Sequence, residues 1–434
     1  MPQRTPPIRS YFHEFPELLP CARRALAVVY SRALASIWRN RDYMLLWGGQ
    51  LASTLGTAAS QVIMPLLILA ITNSAEAAGI AGALRFFPYL VFSLPVGALI
   101  DRWDRKAVMI RCDVGRALAV ATIPAAMAFD ALTLWQIYLV SLVEGSLFVF
   151  FNIAEVAALP RVVAKRQLPQ ASALNEAGFG ITNIVGPSFG TVIYQVFGRA
   201  VPFVSNVVTY AISAIALSRI EVPFHAQREP VEHDLRKEVG EGLRWMWDNP
   251  LIRYMAFLTG GLNLINAATP LIIIVLAKHM GASDGEIGVI FSAAGIGGIA
   301  GSLVGGRIQR RFTFGQVIVA LIWLEAACFP LYLAVPSYFL LSAVSGIAAF
   351  LGPVYNVVQF SYRLSIIPDR LQGRVNSVFR LLAFGFMPVG SALAGVLIER
   401  FGASTAVAAL SAWLALLAIA TTLNRQVRNA APLK

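Results

Sequence analysis

Charge is scarce in this chain of 434 residues: Asp, Glu, Lys and Arg make up 13% and hydrophobic residues 57%, where soluble globular proteins carry about 25% charged residues. That balance excludes an ordinary soluble enzyme or adaptor domain. Cysteine is limited to Cys21, Cys112 and Cys328, an odd number without ligand spacing, so neither a disulfide framework nor a metal site is implied. The four histidines, His13, His225, His233 and His279, fall in tails, loops or a helix end, which argues against a histidine relay within a membrane. No G-x-x-x-x-G-K-[ST] phosphate loop and no G-x-S-x-G nucleophile elbow occurs, so ATP is not the expected energy source and no enzyme activity is expected.

Long apolar runs, by contrast, fill the chain. About 20 apolar residues cross a ~30 Å hydrocarbon core as a helix. Twelve such runs lie near 44–71, 79–100, 107–128, 132–154, 172–197, 201–219, 252–277, 285–306, 315–335, 338–361, 376–398 and 404–423. The expected fold is therefore an all-α integral membrane protein with twelve transmembrane helices. The net charge of +12 would fit a nucleic-acid partner if it formed a patch, but it follows topology instead. Arg199, Lys278 and Arg400 fall in loops after odd-numbered runs, and Arg85, Arg111, Arg116 and Arg380 fall within runs. The remaining basic residues lie in the tails, in loops after even-numbered runs or, as Arg219 and Arg253 do, at the run ends beside such a loop, the positive-inside pattern that places both termini in the cytoplasm. No nucleic-acid partner is expected; the partners are the bilayer, protons and a small molecule, and a monomer is expected.

The chain also repeats itself. At an offset of 205 residues Gly56, Gln61 and Pro65 meet Gly261, Asn266 and Pro270, and Arg102, Arg105 and Lys106 meet Arg307, Arg310 and Arg311; at 204, Phe151–Glu155 meets Tyr355–Gln359. Two parallel six-helix halves are implied, pseudo-symmetric bundles at 43–219 and 252–424, with substrate between them. The flanking segments are a cytoplasmic tail at 1–42, a linker at 220–251 and a tail at 425–434. In the linker, Leu235, Val239 and Leu243 recur at helical spacing, so an amphipathic helix on the membrane surface is expected. The first tail, with Arg23, Arg24, Arg32 and Arg39 around ALAVVY, reads either as a similar surface helix or as dispensable.

GALIDRWDRKAVM packs five charges into six positions between two runs. Its Gly97, Asp101, Arg102, Arg105 and Lys106 resemble the loop motif of the major facilitator superfamily, with Asp104 where a glycine is usual. GPSFG, with Gly186, Pro187 and Gly190, is similar to the core of the antiporter motif, with Thr191 replacing a common second glycine. WRNRDYMLLWGGQLAS, EGLRWMWDNPLIR and IIPDRLQGRVNSVFRLL resemble the branch holding the enterobactin exporter and the macrolide efflux pumps. The resemblance implies proton-coupled export of an amphipathic small molecule, a siderophore or a drug such as a macrolide, across a bacterial inner membrane. It implies no bound cofactor, the proton gradient being the energy source. A lysophospholipid flippase, an importer, or a transport-inactive sensor would use the same scaffold.

An ionisable side chain at midmembrane costs ~3 kcal/mol on insertion scales and marks function by default. Glu144, about 13 residues into the fourth run, is the proton-coupling candidate, because hydrocarbon disfavours its charged form. The alternative is a hydrogen-bonded packing residue. Glu325 in the ninth run is read as structural. Arg85 either attracts an anionic substrate or pairs with an acid, or, being near the outer end of its run, snorkels to the interface. Cavity candidates on the first, fourth, seventh and tenth runs, the helices that line the pathway in the family, are Gln61, Asn152, Asn263, Asn266, Asn356 and Gln359; interhelical hydrogen bonds are the alternative for each. Gly297, Gly301 and Gly305, four apart, point to close helix packing rather than a dinucleotide fingerprint. The family resemblance suggests a cytoplasmic gate in which Asp101 faces the start of the eleventh helix and Arg105 pairs with Glu155.

Overall fold

The computed structural model describes residues 37–164, 167–224, 235–368 and 371–430. The amino-terminal tail up to residue 36, with its expected surface helix, lies outside the described residues. Every element among them is a helix. The first half holds α1 (Arg41–Thr72), α2 (Ala75–Arg102), α3 (Arg105–Ala128), α4 (Leu134–Val162), α5 (Leu168–Phe197) and α6 (Val201–Ser218). The linker helix α7 (Leu235–Asp248) follows. The second half holds α8 (Pro250–His279), α9 (Asp284–Arg311), α10 (Phe314–Cys328), α11 (Tyr338–Ile366), α12 (Gln372–Gly385) and α13 (Met387–Leu423).

Local chemistry sets these boundaries. Asn40, Ser74, Thr133 and Ser337 each cap a helix start by accepting a backbone N–H, relieving donors that have no partner within the helix. Gly402 at φ +83° and ψ +161° divides α13 into two passes, a conformation only glycine takes without strain. Nine stretches among the described residues are long and apolar enough to cross a membrane by composition alone, one of them running from Gln372 to Leu423 across that break. Helices α3 and α5, of 24 and 30 residues, have the length but carry more polar residues. With them, and the division at Gly402, the twelve passes are complete.

Within the first half α1 packs on α5 and α6, α2 on α4, and α3 on α4 and α6; in the second α8 packs on α13, and α9 and α10 on α11. The halves meet through α2 with α13 and α5 with α9. Those contacts are tight at the end away from the basic loops. The Ala75 N–H donates to Glu399 Oε2 at 2.7 Å, Ser188 and Ser292 hydroxyls lie 2.7 Å apart, and the Gly285 N–H donates to Gln195 Oε1 at 2.9 Å. At the basic end Gly97 and Gly306 have no atom within 4 Å of a would-be Cβ. The halves are therefore in contact at the end away from the basic loops.

The closed end depends on glycine. A Cβ on Gly79 would sit 2.7 Å from the Ser391 carbonyl and 2.8 Å from Gly395 Cα. Overpacking of this kind costs about 1–3 kcal/mol, so Gly79→Val is expected to shift the population away from this closed end by about tenfold. Labelling of a cysteine placed in the cavity, with an impermeant thiol reagent applied from the closed side, measures the change; unaltered labelling counts against it.

The linker helix lies against the start of α12. Val239, Gly242 and Met246 turn inward, Leu243 is exposed, and a Cβ on Gly242 would meet the Arg374 backbone at 2.8 Å. Glu241 pairs with Arg374 at the start of α12. Gly242 lets the linker backbone approach α12, and the packed face follows that glycine.

Candidate functional site

Between the halves lies a cavity of about 1110 Å3, lined mainly by apolar side chains and reaching Ala173 near the start of α5 and Leu303 near the end of α9, beside the basic loops. Gln61, Asn266, Asn356 and Arg85 line it, together with Ser141, Glu176 and Asn183. The repeat partners Gln61 and Asn266 face each other's half across it, as do Pro65 and Pro270. Asn152 and Gln359 are not among its lining residues; Gln359 is buried at 4% exposure. Asn263 donates to the Ala383 carbonyl at 2.8 Å, a tie between α8 and α12 rather than a cavity surface. Glu176 and Asn183 on α5 were not expected, although both stand seven residues apart on one helix face in the sequence.

Beside the cavity the first half buries a charged cluster. Glu144 on α4 is 1% exposed, Arg116 on α3 1% and Asp113 on α3 0%. Tyr210 of α6 donates its hydroxyl to Glu144 Oε1 at 2.7 Å and accepts from Arg116 Nη2 at 2.8 Å. Arg116 Nη2 also reaches Thr57 Oγ1 at 3.0 Å, and its Nη1 lies 3.5 Å from Asp113 Oδ1. The guanidinium rests over the Tyr210 ring at 4.1 Å, a cation–π contact strengthened by desolvation. Arg85 Nη1 stands 3.8 Å from Glu144 Oε2, too long for a hydrogen bond, and Oε2 has no hydrogen-bond partner among the described residues. Arg85 therefore has one face on the cavity and the other toward a buried, half-satisfied carboxylate.

Gly145 explains why Glu144 and Arg85 meet. A Cβ there would clash with the Arg85 carbonyl, so the glycine brings the α2 and α4 backbones together one residue from the carboxylate. Asp113, Tyr210 and Thr57 were missed by sequence reasoning. The available signal was Asp113 and Arg116, three apart within one apolar run, which places both on one helix face.

In the second half Thr259 and Tyr355 share a hydrogen bond of 2.8 Å. Glu325 on α10 has no ion-pair partner among the described residues. Arg363 stacks over Phe379 at 3.9 Å.

At the basic end Arg105 Nη1 donates to the Ala157 carbonyl at 2.9 Å. Arg105 thus reaches α4 at a backbone carbonyl two residues beyond Glu155. Lys106 Nζ donates to the Ile220 carbonyl at 2.6 Å, beside the end of α6, where a cation offsets the helix dipole. Asp104 caps α3, accepting from Lys106 and Ala107 N–H groups, which gives a reason for an acid where the motif has glycine. Arg102 is exposed, and the Asp101 side chain lies outside the described ones. Gly186 and Gly190 set α5 against Ala58 and Ala59 of α1, Pro187 lines the cavity, and Gly297, Gly301 and Gly305 set α9 against α11.

A family model described as transmembrane secretion effector matches residues 33–432. Macrolide efflux protein A of Streptococcus pyogenes is 25% identical over 377 residues, covering 84% of this chain and 91% of that protein. The enterobactin exporter EntS of Shigella boydii is 26% identical over 343 residues, covering 77% and 80%. Among solved structures, a bacterial homologue of the iron transporter ferroportin in an inward-facing state superposes with a TM-score of 0.71 at 13% identity, covering 88% of this chain and 98% of that one.

Proposed function

The chain belongs to the transmembrane secretion effector family of major facilitator transporters, and on that premise we propose that it exports an amphipathic small molecule in exchange for protons, working by alternating access as a monomer. The family and fold are those of membrane transporters, not of enzymes. In this reading the basic end faces the cytoplasm of a bacterial inner membrane, with both termini on that side. The cavity takes up substrate from the cytoplasm in the state described above. The relatives named for macrolide and enterobactin export support a drug or siderophore as cargo.

One observation carries the proton assignment: Glu144 Oε2 is buried without a hydrogen bond, facing Arg85, which lines the cavity. With all four groups ionised, Arg85, Glu144, Asp113 and Arg116 sum to zero charge. A proton on Oε2 leaves a net positive charge next to the cavity, where low polarity amplifies it. Antiport requires proton and substrate to bind at each other's expense. A cationic or neutral amphiphile that leaves Arg85 on Glu144 meets that requirement; an anion that drew Arg85 away would favour the proton instead.

The test is binding of a macrolide and of a catecholate siderophore to purified protein, followed by flux in proteoliposomes under an imposed pH gradient. Binding with flux toward the acidic compartment supports the reading. Binding without flux would make the protein a sensor, and flux with the proton gradient an importer.

A further inference from the structure

A second, smaller pocket lies in the second half, between the start of α8 and the end of α13, both next to basic segments of the chain. Its volume is about 380 Å3, and Arg253, Tyr254 and Phe257 of α8 form one wall while Asn424, Arg425 and Gln426, just after α13, form the other. We propose that this pocket binds the phosphate of an anionic bilayer phospholipid, with the acyl chains lying along the apolar rim.

The charge and the rim together point to that ligand. Arg425 is exposed and has no acidic partner among the described residues. Arg253 Nη1 donates to the Trp247 carbonyl at 2.9 Å and its guanidinium lies 5.1 Å from the Trp247 ring centre. That fixes the fork and leaves most of its five donors unused, in a geometry suited to phosphate oxygens. Two further polar side chains of the pocket are already engaged. The Tyr254 hydroxyl bonds Thr421 at 2.8 Å, and the Asn424 side chain accepts from the Gln426 and Val427 N–H groups. The acid nearest in sequence, Asp248, is exposed at the end of α7.

Around these two cations the surface is apolar although it faces outward. Phe257 is 42% exposed, Trp247 53% and Leu423 70%. An aromatic and aliphatic rim beside paired arginines is the surface expected where headgroup meets acyl chain. A free anion would use only the arginines and leave the rim uncovered, so a lipid accounts for both.

Native mass spectrometry of the full chain released from detergent, supplied with phosphatidylglycerol or phosphatidylcholine, tests the site. The wild-type protein is expected to retain one phosphatidylglycerol in preference to phosphatidylcholine. Arg425→Gln is expected to lower that occupancy about tenfold, the size of one charge-assisted hydrogen bond, and Arg425→Lys to lower it less. The Arg425 side chain is exposed, so these variants keep the packing, and an unchanged elution volume and melting temperature check that they do. Arg253→Gln is expected to act in the same direction. Inorganic phosphate in millimolar excess is expected to leave the bound lipid in place. Wild-type occupancy in Arg425→Gln, equal retention of the two lipids, or displacement by phosphate alone would overturn the proposal.

Discussion

Replacing Glu144 with Gln is expected to abolish accumulation against a gradient while leaving the transporter able to exchange substrate. Glutamine keeps the shape and can still accept from Tyr210 through its amide oxygen, but it cannot carry the proton. One pH unit is worth about 1.4 kcal/mol, which supports about tenfold accumulation for each proton exchanged electroneutrally. In Glu144→Gln the ratio should fall from about tenfold to about one in proteoliposomes, with counterflow of labelled against unlabelled substrate retained. Arg85 would then lack a counter-ion, so a cationic substrate should bind more weakly to the variant, an effect that appears in equilibrium binding. Retained uphill transport would move the proton to another group, of which Glu176 at the cavity is the first to try.

The second large effect concerns stability. Arg116 is 1% exposed and contacts Tyr210, Thr57 and Asp113. Arg116→Met keeps much of the volume but leaves two buried carboxylates with only Arg85 to offset them. Removing one partner of a buried pair costs about 3–5 kcal/mol, against a total folding stability of about 5–15 kcal/mol for typical proteins. Arg116→Met is therefore expected to melt far below the wild type in detergent. Adding Asp113→Asn removes one uncompensated charge and should recover part of the loss. A double variant no more stable than Arg116→Met would show that the arginine acts through packing on Tyr210 rather than through charge.

The same cluster shows where reading the sequence succeeds and where it stops. Glu144 could be found because a carboxylate in an apolar run is costly wherever the neighbours lie. Its partners could not, because Asp113, Tyr210 and Thr57 come from helices whose contacts are fixed only by tertiary packing. Gln61 and Asn266 were legible as a pair through the internal repeat, and both reach the cavity. The repeat did not separate Asn356, which lines the cavity, from Asn152, which is not among the lining residues, because a one-residue drift rotates a helical position by about 100°. Asn263 could not be assigned from its residue type, since an amide serves equally well for a ligand or for the carbonyl of Ala383. In the linker, hydrophobic periodicity found Val239, which turns inward, but not Gly242, where the backbone meets α12. Glycine has no side chain to register in such a pattern, yet it sets how closely two backbones approach.

The proposed coupling through Glu144 requires that its protonation bias which end of the transporter is open. The most direct measurement is the distance between spin labels on cysteines replacing Asn73 and Arg400, on opposite halves at the closed end, in a background without the native cysteines. In the wild type the short and long distances are expected to exchange population between acid and alkaline pH. In Glu144→Gln the distribution is expected to be the same at both. A Glu144→Gln protein that retained the full pH dependence of the wild type would contradict the role given to this carboxylate.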